Sequence, residues 1–274
     1  MSRRLRTIPR VMTIAGSDSG GGAGIQADLK TFGANGVYGT SVITAVTAQN
    51  TIGVQAIAGL SLDIIEAQID AILTDIGTDA VKIGMLVNVD IINLVADKIV
   101  EYSLDNIVLD PVMIAKGGEK LISDNSIKNL KKFLIPLCTL VTPNIPEAEV
   151  LTGYSILSKD DMIKAAKKII NIGAENVLLK GGHLKNEMIF DILVSKKKIK
   201  VFTKKKIKTR HTHGTGCTLS SALATCLSQK KKIYKSCKIS LKYVDKAILT
   251  APGYGKGFGP LNHLVSFHLR NTND

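Results

Sequence analysis

The run His213-Gly214-Thr215-Gly216-Cys217-Thr218 sits between a polar loop and an apolar-striped segment, and its residue types suit phosphate chemistry. Glycines let consecutive backbone N–H groups turn inward, and the start of a helix leaves its first donors without intrahelical partners. Together they make an anion site fit for a phosphate or a transferring phosphoryl group. Cys217, placed at that helix start, is expected to have a lowered thiol pKa, because the positive end of the helix favours thiolate. Such a group acts as a base toward an alcohol, or orients that alcohol. Locally, the same residues also describe a flexible turn with a buried, inert cysteine ahead of a core helix. The pattern alone leaves both readings open.

A second glycine-rich run, Gly16-Ser17-Asp18-Ser19-Gly20-Gly21-Gly22-Ala23-Gly24, follows an apolar strand pattern. Its tail satisfies a relaxed G-x-G-x-x-A dinucleotide fingerprint. The acid that should follow about 20 residues later is missing, since that region reads Thr47-Ala48-Gln49-Asn50. No G-x-x-x-x-G-K-S/T run exists either, so neither a dehydrogenase nor a P-loop NTPase is expected. Asn144-Ile145-Pro146-Glu147 has the spacing of a helix capping box. The same two side chains could instead help hold Mg²⁺ beside a nucleotide's phosphates, directly or through water. Asp110 closes one strand pattern just before Pro111, and Lys180 closes another just before Gly181-Gly182.

The elements that must position these residues alternate between two periods. Val11–Ala15, Ser41–Ala48, Ala80–Ile83, Ile107–Leu109, Leu140–Thr142 and Val177–Leu179 are short apolar runs read as buried strands. Helical patterns lie between them, including about Ile25 to Ala34, Leu62–Leu73, and one from Asn144 ending near Gly153. Repeated strand-then-helix units imply an α/β fold, a mostly parallel sheet with helices on both faces. Later, Ile189–Val194 and Lys200–Phe202 flank Ser195–Lys198 as a hairpin. Leu219, Ala222, Leu223, Cys226 and Leu227 then mark one face of a helix. No linker or repeat divides the chain, so a single domain over 1–274 is expected. Open α/β sheets bind ligands outside the carboxyl ends of their strands. That edge should gather the glycine-rich loop, Gln49, Met85, Asp110, Asn144, Lys180 and the 214–217 loop.

Composition narrows the class. The chain has 274 residues, a net charge of +13 and four cysteines without a C-x-x-C pair. The cysteine pattern suits a reducing compartment, and no apolar run approaches the about 20 residues of a membrane span. Residues 1–17 lack acids, but the apolar stretch after Arg10 is too short for a signal sequence; the cytoplasm is expected. The lysine runs at 196–198, 204–206 and 230–232 raise the alternative of a nucleic-acid-binding protein. Aromatics make up only 4% of residues, and few rings lie near those runs to stack bases. A solvated basic surface, with no nucleic acid and no membrane as partner, is the reading adopted.

Six ordered blocks together resemble the hydroxymethylpyrimidine/phosphomethylpyrimidine kinases of thiamine biosynthesis, in the ribokinase-like superfamily. They are Thr13–Asp18 through Gly24–Lys30, Lys82–Leu86, Leu109–Met113, Thr142–Ala148, Lys180–His183 and His213–Thr218. The resemblance implies a ribokinase-like three-layer sandwich and ATP-dependent phosphorylation of 4-amino-5-hydroxymethyl-2-methylpyrimidine, then of its monophosphate to the diphosphate. It implies that Gln49 pairs with the pyrimidine edge, that Gly16, Met85 and Val112 line the ring pocket, and that Asp28 lies close to the substrate or its phosphate. Lys180, Asp110 and Thr215 would face ATP, Asn144 and Glu147 would serve Mg²⁺, and Gly214, Thr215 and Gly216 would form the anion hole. Cys217 stands where most ribokinase-like sugar kinases carry a catalytic Asp. A homodimer is implied as well. Some relatives with the same Gly-Thr-Gly-Cys loop act on vitamin B6, so pyridoxal/pyridoxine kinase is the alternative activity.

Overall fold

The computed structural model describes residues 7–113, 122–183 and 187–266. Nine strands form one sheet: β1 (Arg10–Asp18), β2 (Tyr38–Gln49), β3 (Val54–Gly59), β4 (Ala80–Ile83), β5 (Ile107–Leu109), β6 (Leu140–Val141), β7 (Asn176–Leu179), β8 (Met188–Ser195) and β9 (Ile199–Lys205). Their order across the sheet is β3-β2-β1-β4-β5-β6-β7-β8-β9. The pairings from β2 through β7 are parallel, while β3, β8 and β9 add antiparallel margins.

The helices are α1 (Gly24–Ala34), α2 (Leu62–Ala71), α3 (Val89–Glu101), α4 (Asp124–Asn129), α5 (Ile145–Thr152), α6 (Lys159–Ile172), α7 (Thr215–Ser228) and α8 (Ile233–Leu249). Strand side chains alternate between two cores, as a period of two requires. Met12, Val81, Leu109, Val141 and Leu179 pack with α2 to α6, whereas Val11, Ala80, Val108, Leu140 and Leu178 pack with α1, α7 and α8. Because both faces are covered, the inner strands read as continuous apolar runs. The architecture is therefore a three-layer α/β sandwich, as the strand-then-helix rhythm requires.

Several boundaries differ from the sequence reading, for physical reasons. β1 runs on to Asp18 because its end pairs in shifted register with Val46 and Thr47. The helix at Leu62 gives way after Ala71 to a π turn over Ile72–Ile76, which ends at Gly77 in the left-handed region (φ 71°). β3 had no apolar alternation to announce it, since all six of its residues are exposed at the sheet edge. Helix α7 is buried around its whole circumference from Thr218 to Ser228, not on one stripe. Some of its hydroxyls are satisfied locally, as where Thr218 Oγ1 donates to the Gly214 carbonyl and Ser220 Oγ to that of Gly216, while Ser221 Oγ reaches Asp28 and Thr225 Oγ1 has no hydrogen-bond partner among the described residues. No described helix is long and apolar enough to cross a membrane.

Candidate active site

Parallel strands deliver their carboxyl ends to one edge, and the described loops meet there. Gly214, in the left-handed region at φ 80°, precedes α7 without a side-chain cap. A Cβ at Gly214 would overlap the Gly22 carbonyl, so the two glycine-rich loops touch backbone to backbone. Asp18 ties the first of these loops together. Its Oδ1 accepts from Gly20 N at 2.8 Å, and its Oδ2 accepts from Ala23 N at 2.8 Å and Gly22 N at 3.1 Å. His213 Nε2 also reaches Asp18 Oδ2, at 2.8 Å, which clasps the second loop onto the first. Burial pushes the Asp18 carboxyl up, but the His213 and backbone hydrogen bonds outweigh it and hold the group below its ordinary range.

Across the cleft, Lys180 Nζ donates to Asp110 Oδ1 at 2.8 Å, and Thr142 Oγ1 reaches the same oxygen at 3.2 Å. This pair faces the second loop: a Cβ on Gly216 would sit 2.9 Å from Asp110 Oδ2 and 3.3 Å from Lys180 Nζ. Only glycine lets the backbone approach a charged pair so closely. Gly16 faces Met85 in the same way, with a Cβ there falling 2.5 Å from the Met85 methyl. Val112 follows Asp110, its N–H donating to that residue's carbonyl at 2.8 Å, and lines a small apolar hollow with Gly84 and Leu86. Gln49 closes the cleft from the end of β2, its side-chain amide 3.3 Å from His213 Nε2. Gly16, Gln49, Met85, Asp110, Lys180 and Gly214–Cys217 thus share one edge.

Two expectations are corrected by the geometry. Asp28 does not face the cleft: it has no exposed surface, and both its oxygens are occupied. Oδ2 accepts from Thr13 Oγ1 at 2.6 Å and Lys82 Nζ at 2.8 Å, and Oδ1 accepts from Ser221 Oγ at 2.6 Å. Nor is the Cys217 thiol acidified. Burial drives its pKa up to about 11 against the opposing pull of the Lys82 ammonium, and the Asp28 and Asp110 carboxylates push the same way as burial. The helix start contributes only about half a unit of positive charge, which burial outweighs.

Asn144 and Glu147 form the capping box of α5. Glu147 N donates to Asn144 Oδ1 at 2.9 Å, and Glu147 Oε2 accepts from Asn144 N at 2.7 Å. Lys180 is paired with Asn144 by a parallel bridge, which brings the cap beside the Lys180–Asp110 pair. Burial raises the Glu147 carboxyl to about 7, with Lys180 lowering it and Asp110 raising it further. Among the described residues no three His, Cys, Asp or Glu side chains form a ready cation cluster. Asn144 Oδ1 and Glu147 Oε2 each accept a backbone N–H within the cap, so a metal would be served chiefly by the Asp110 and Glu147 carboxylate oxygens that the cap does not use. Mg²⁺ keeps several waters and takes only one or two carboxylates plus phosphate oxygens, and Asp110 with Glu147 fits that donor set.

Sequence reasoning assigned no role to Lys82, His213 or Asp18. For Lys82 the signal was present: a lysine inside the apolar strand Ala80–Ile83 must find a buried partner. Asp28 is that partner, and neither side chain of the pair has exposed surface.

Comparisons with known proteins agree with this arrangement. A family profile described as "Phosphomethylpyrimidine kinase" matches residues 18–262. The hydroxymethylpyrimidine/phosphomethylpyrimidine kinase of Bacillus subtilis (strain 168) is 48% identical over 260 residues, covering 94% of this chain and 96% of that protein. The crystal structure of phosphomethylpyrimidine kinase from Clostridium difficile 630 superposes with a TM-score of 0.79 at 46% identity, covering 88% of this chain and 100% of that one. An ADP complex of Bacillus subtilis pyridoxal kinase superposes with a TM-score of 0.89 at 39% identity, covering 96% and 99%. The fold is ribokinase-like, and the chain is a kinase that belongs to the phosphomethylpyrimidine kinase family.

Proposed function

We propose that this protein transfers the γ-phosphoryl group of ATP to 4-amino-5-hydroxymethyl-2-methylpyrimidine, and a second one to the resulting monophosphate, in thiamine biosynthesis. The observation that carries the reading is the close approach of the Gly214–Cys217 turn to the Asp110–Lys180 pair. Phosphoryl transfer demands positioning and charge neutralisation more than covalent chemistry. Lys180, which Asp110 and Glu147 keep charged despite burial, binds phosphate oxygens. The first N–H groups of α7, together with Gly214, Thr215 and Gly216, receive the transferring group. Cys217 meets the acceptor hydroxyl as a neutral thiol and orients it. Gln49, Gly16, Met85 and Val112 hold the ring. Mg²⁺, when held by Asp110 and Glu147 through water, would neutralise charge on the phosphates.

The protein acts as a homodimer in the cytoplasm on this reading. The fully exposed edge strand β3, with Ile57 at 48% and Val54 at 44% exposure, supports the dimer. The second reading, a pyridoxal kinase, is favoured by the likeness to the Bacillus subtilis enzyme. A product-resolved assay with ATP and each alcohol decides between them. The proposal expects the pyrimidine to yield monophosphate and then diphosphate, and turnover of pyridoxal alone would overturn it.

A further inference from the structure

The hydrogen bonds around Gln49 admit only one orientation of its amide. Asp18 accepts from Gly20 N, Gly22 N and Ala23 N, and no donor of its own is called for. It is an ionised, acceptor-only partner. His213 Nε2, 2.8 Å from Asp18 Oδ2, must therefore carry a hydrogen. The Gln49 amide lies 3.3 Å from the same nitrogen. An NH₂ group there would set donor against donor, whereas the amide oxygen would share the Nε2–H with Asp18.

The other end of the amide gives the same answer independently. It lies 3.2 Å from Thr47 Oγ1. The single Thr47 hydroxyl hydrogen goes to the Ser17 carbonyl at 2.8 Å. Thr47 Oγ1 can then only accept, so the Gln49 NH₂ belongs on that side. In the structure the amide Nε2 lies toward His213 and Oε1 toward Thr47; the donors and acceptors at both ends call for the reverse, with Oε1 toward His213 and Nε2 toward Thr47.

We infer that His213, held by Asp18, is a specificity-determining positioning residue that fixes the Gln49 amide with its acceptor toward the anion loop and its donor away from it. The consequence for substrate choice rests on the functional reading above. With the reacting hydroxymethyl group at the 214–217 loop, the neighbouring ring substituent lies on the loop side of Gln49. In the aminopyrimidine that neighbour is the amino group, a donor that meets Oε1, and the next ring position is a nitrogen that meets the Nε2 hydrogen. In pyridoxal the two ring carbons beside the hydroxymethyl-bearing one carry a hydrogen and a formyl group, neither of which donates, so Oε1 is left unsatisfied. An amide free to turn would lose that preference, since a site that hydrogen-bonds a substrate group discriminates by leaving its own polar atoms unpaired.

The test is a double-mutant cycle on the full-length protein, measuring kcat and KM for the pyrimidine alcohol, for pyridoxal and for ATP. His213→Phe removes the donor and keeps a ring. It should raise the pyrimidine KM about tenfold, leave the ATP KM within about twofold, and cut the pyrimidine-over-pyridoxal ratio of kcat/KM about tenfold. His213→Gln, which restores an N–H donor, should recover most of the ratio. In a Gln49→Leu background, itself raising the pyrimidine KM, His213→Phe should add less than about twofold, because positioning residues act through their target. Equal effects of His213→Phe in both backgrounds would overturn the inference, as would a pyrimidine KM untouched by Gln49→Leu. If the unsubstituted protein fails to phosphorylate the pyrimidine at all, the functional reading itself falls and takes the specificity role with it.

Discussion

Replacing Lys82 by Met removes one charge from a pair in which neither side chain has exposed surface. The methionine keeps the unbranched stem, so its packing beside Gly84 is largely preserved and the loss is electrostatic. Asp28 would retain Thr13 and Ser221 as donors at 2.6 Å each, but would lose the ammonium that neutralises it. Solvent cannot screen a carboxylate at zero exposure, and orphaning one partner of a buried ion pair costs about 3–5 kcal/mol. For a chain of this size the urea dependence is about 3 kcal/mol per molar, so the unfolding midpoint should fall by roughly 1–1.7 M. The double variant Lys82→Met with Asp28→Asn, which removes both charges and leaves an amide oxygen to accept from Ser221, should recover at least about 2 kcal/mol of that loss. Urea unfolding followed by far-UV circular dichroism measures all four corners of the cycle. A Lys82→Met variant within about 1 kcal/mol of wild type, or a double variant that merely sums the singles, would refute the reasoning.

Cys217→Ala should lower kcat at least about tenfold with the ATP KM within about twofold, the loss of an orienting group near the acceptor. The same thiol, raised to about 11, should alkylate slowly with iodoacetamide at neutral pH and accelerate steadily toward alkaline pH. Gly216→Ala should change unfolding stability by less than about 1 kcal/mol, because the new methyl meets only the tips of Asp110 and Lys180. Its kcat/KM should fall at least about tenfold, since on the proposed reading Lys180 must hold phosphate and Asp110 positions it. Burial raises the Glu147 carboxyl from its ordinary 4.5 to about 7, so the folded state holds its proton more tightly. Its contribution is full below the unfolded pKa and is lost as pH rises through the folded one. Wild type should therefore lose up to about 3 kcal/mol more stability between pH 4.5 and 7.5 than Glu147→Gln does. Thermal unfolding at those two pH values in both proteins reads the difference.

Much of the fold was legible because the inner strands carry a signal that survives without context. Ala80–Ile83 and Ile107–Leu109 are bounded as read, since burial on both faces requires unbroken apolar runs there. β3 was invisible for the opposite reason. An exposed edge strand needs no apolar alternation, and only its pairing with Ala45–Gln49 makes it a strand. The candidate site was legible as a set of residue types at strand ends, but not as a set of contacts. Asp28 shows the limit. Its place in a helix after the glycine-rich loop is visible in the sequence, whereas its direction, inward to Lys82 and Ser221, depends on a strand 54 residues away and a helix 193 residues away. Cys217 was misjudged because a helix start is a local feature, while the burial that outweighs it comes from the surrounding layers.

The high pKa of Cys217 bears on why one site would serve two acceptors. The first acceptor on the proposed reading is an alcohol, and the second is a phosphate oxygen already ionised at neutral pH. A strongly basic group suited to the alcohol would carry negative charge, and would repel the phosphate of the second acceptor across a few ångströms of low-dielectric protein. A thiol kept neutral avoids that repulsion. It costs the alcohol step little if the transition state is loose, because the hydroxyl proton then leaves late and positioning counts for more than proton abstraction. The Asp28–Lys82 pair supports the compromise from beneath. Its ammonium is the strongest influence drawing the thiol back toward ionisation, and its carboxylate opposes that pull more than Asp110 does. In an aspartate-bearing relative the same cleft would hold a fixed charge. Cys217→Asp should accordingly impair phosphorylation of the monophosphate more than that of the alcohol, by at least about tenfold in the ratio of the two kcat/KM values. An unchanged ratio would show that the charge on residue 217 plays no part in accepting the second phosphate.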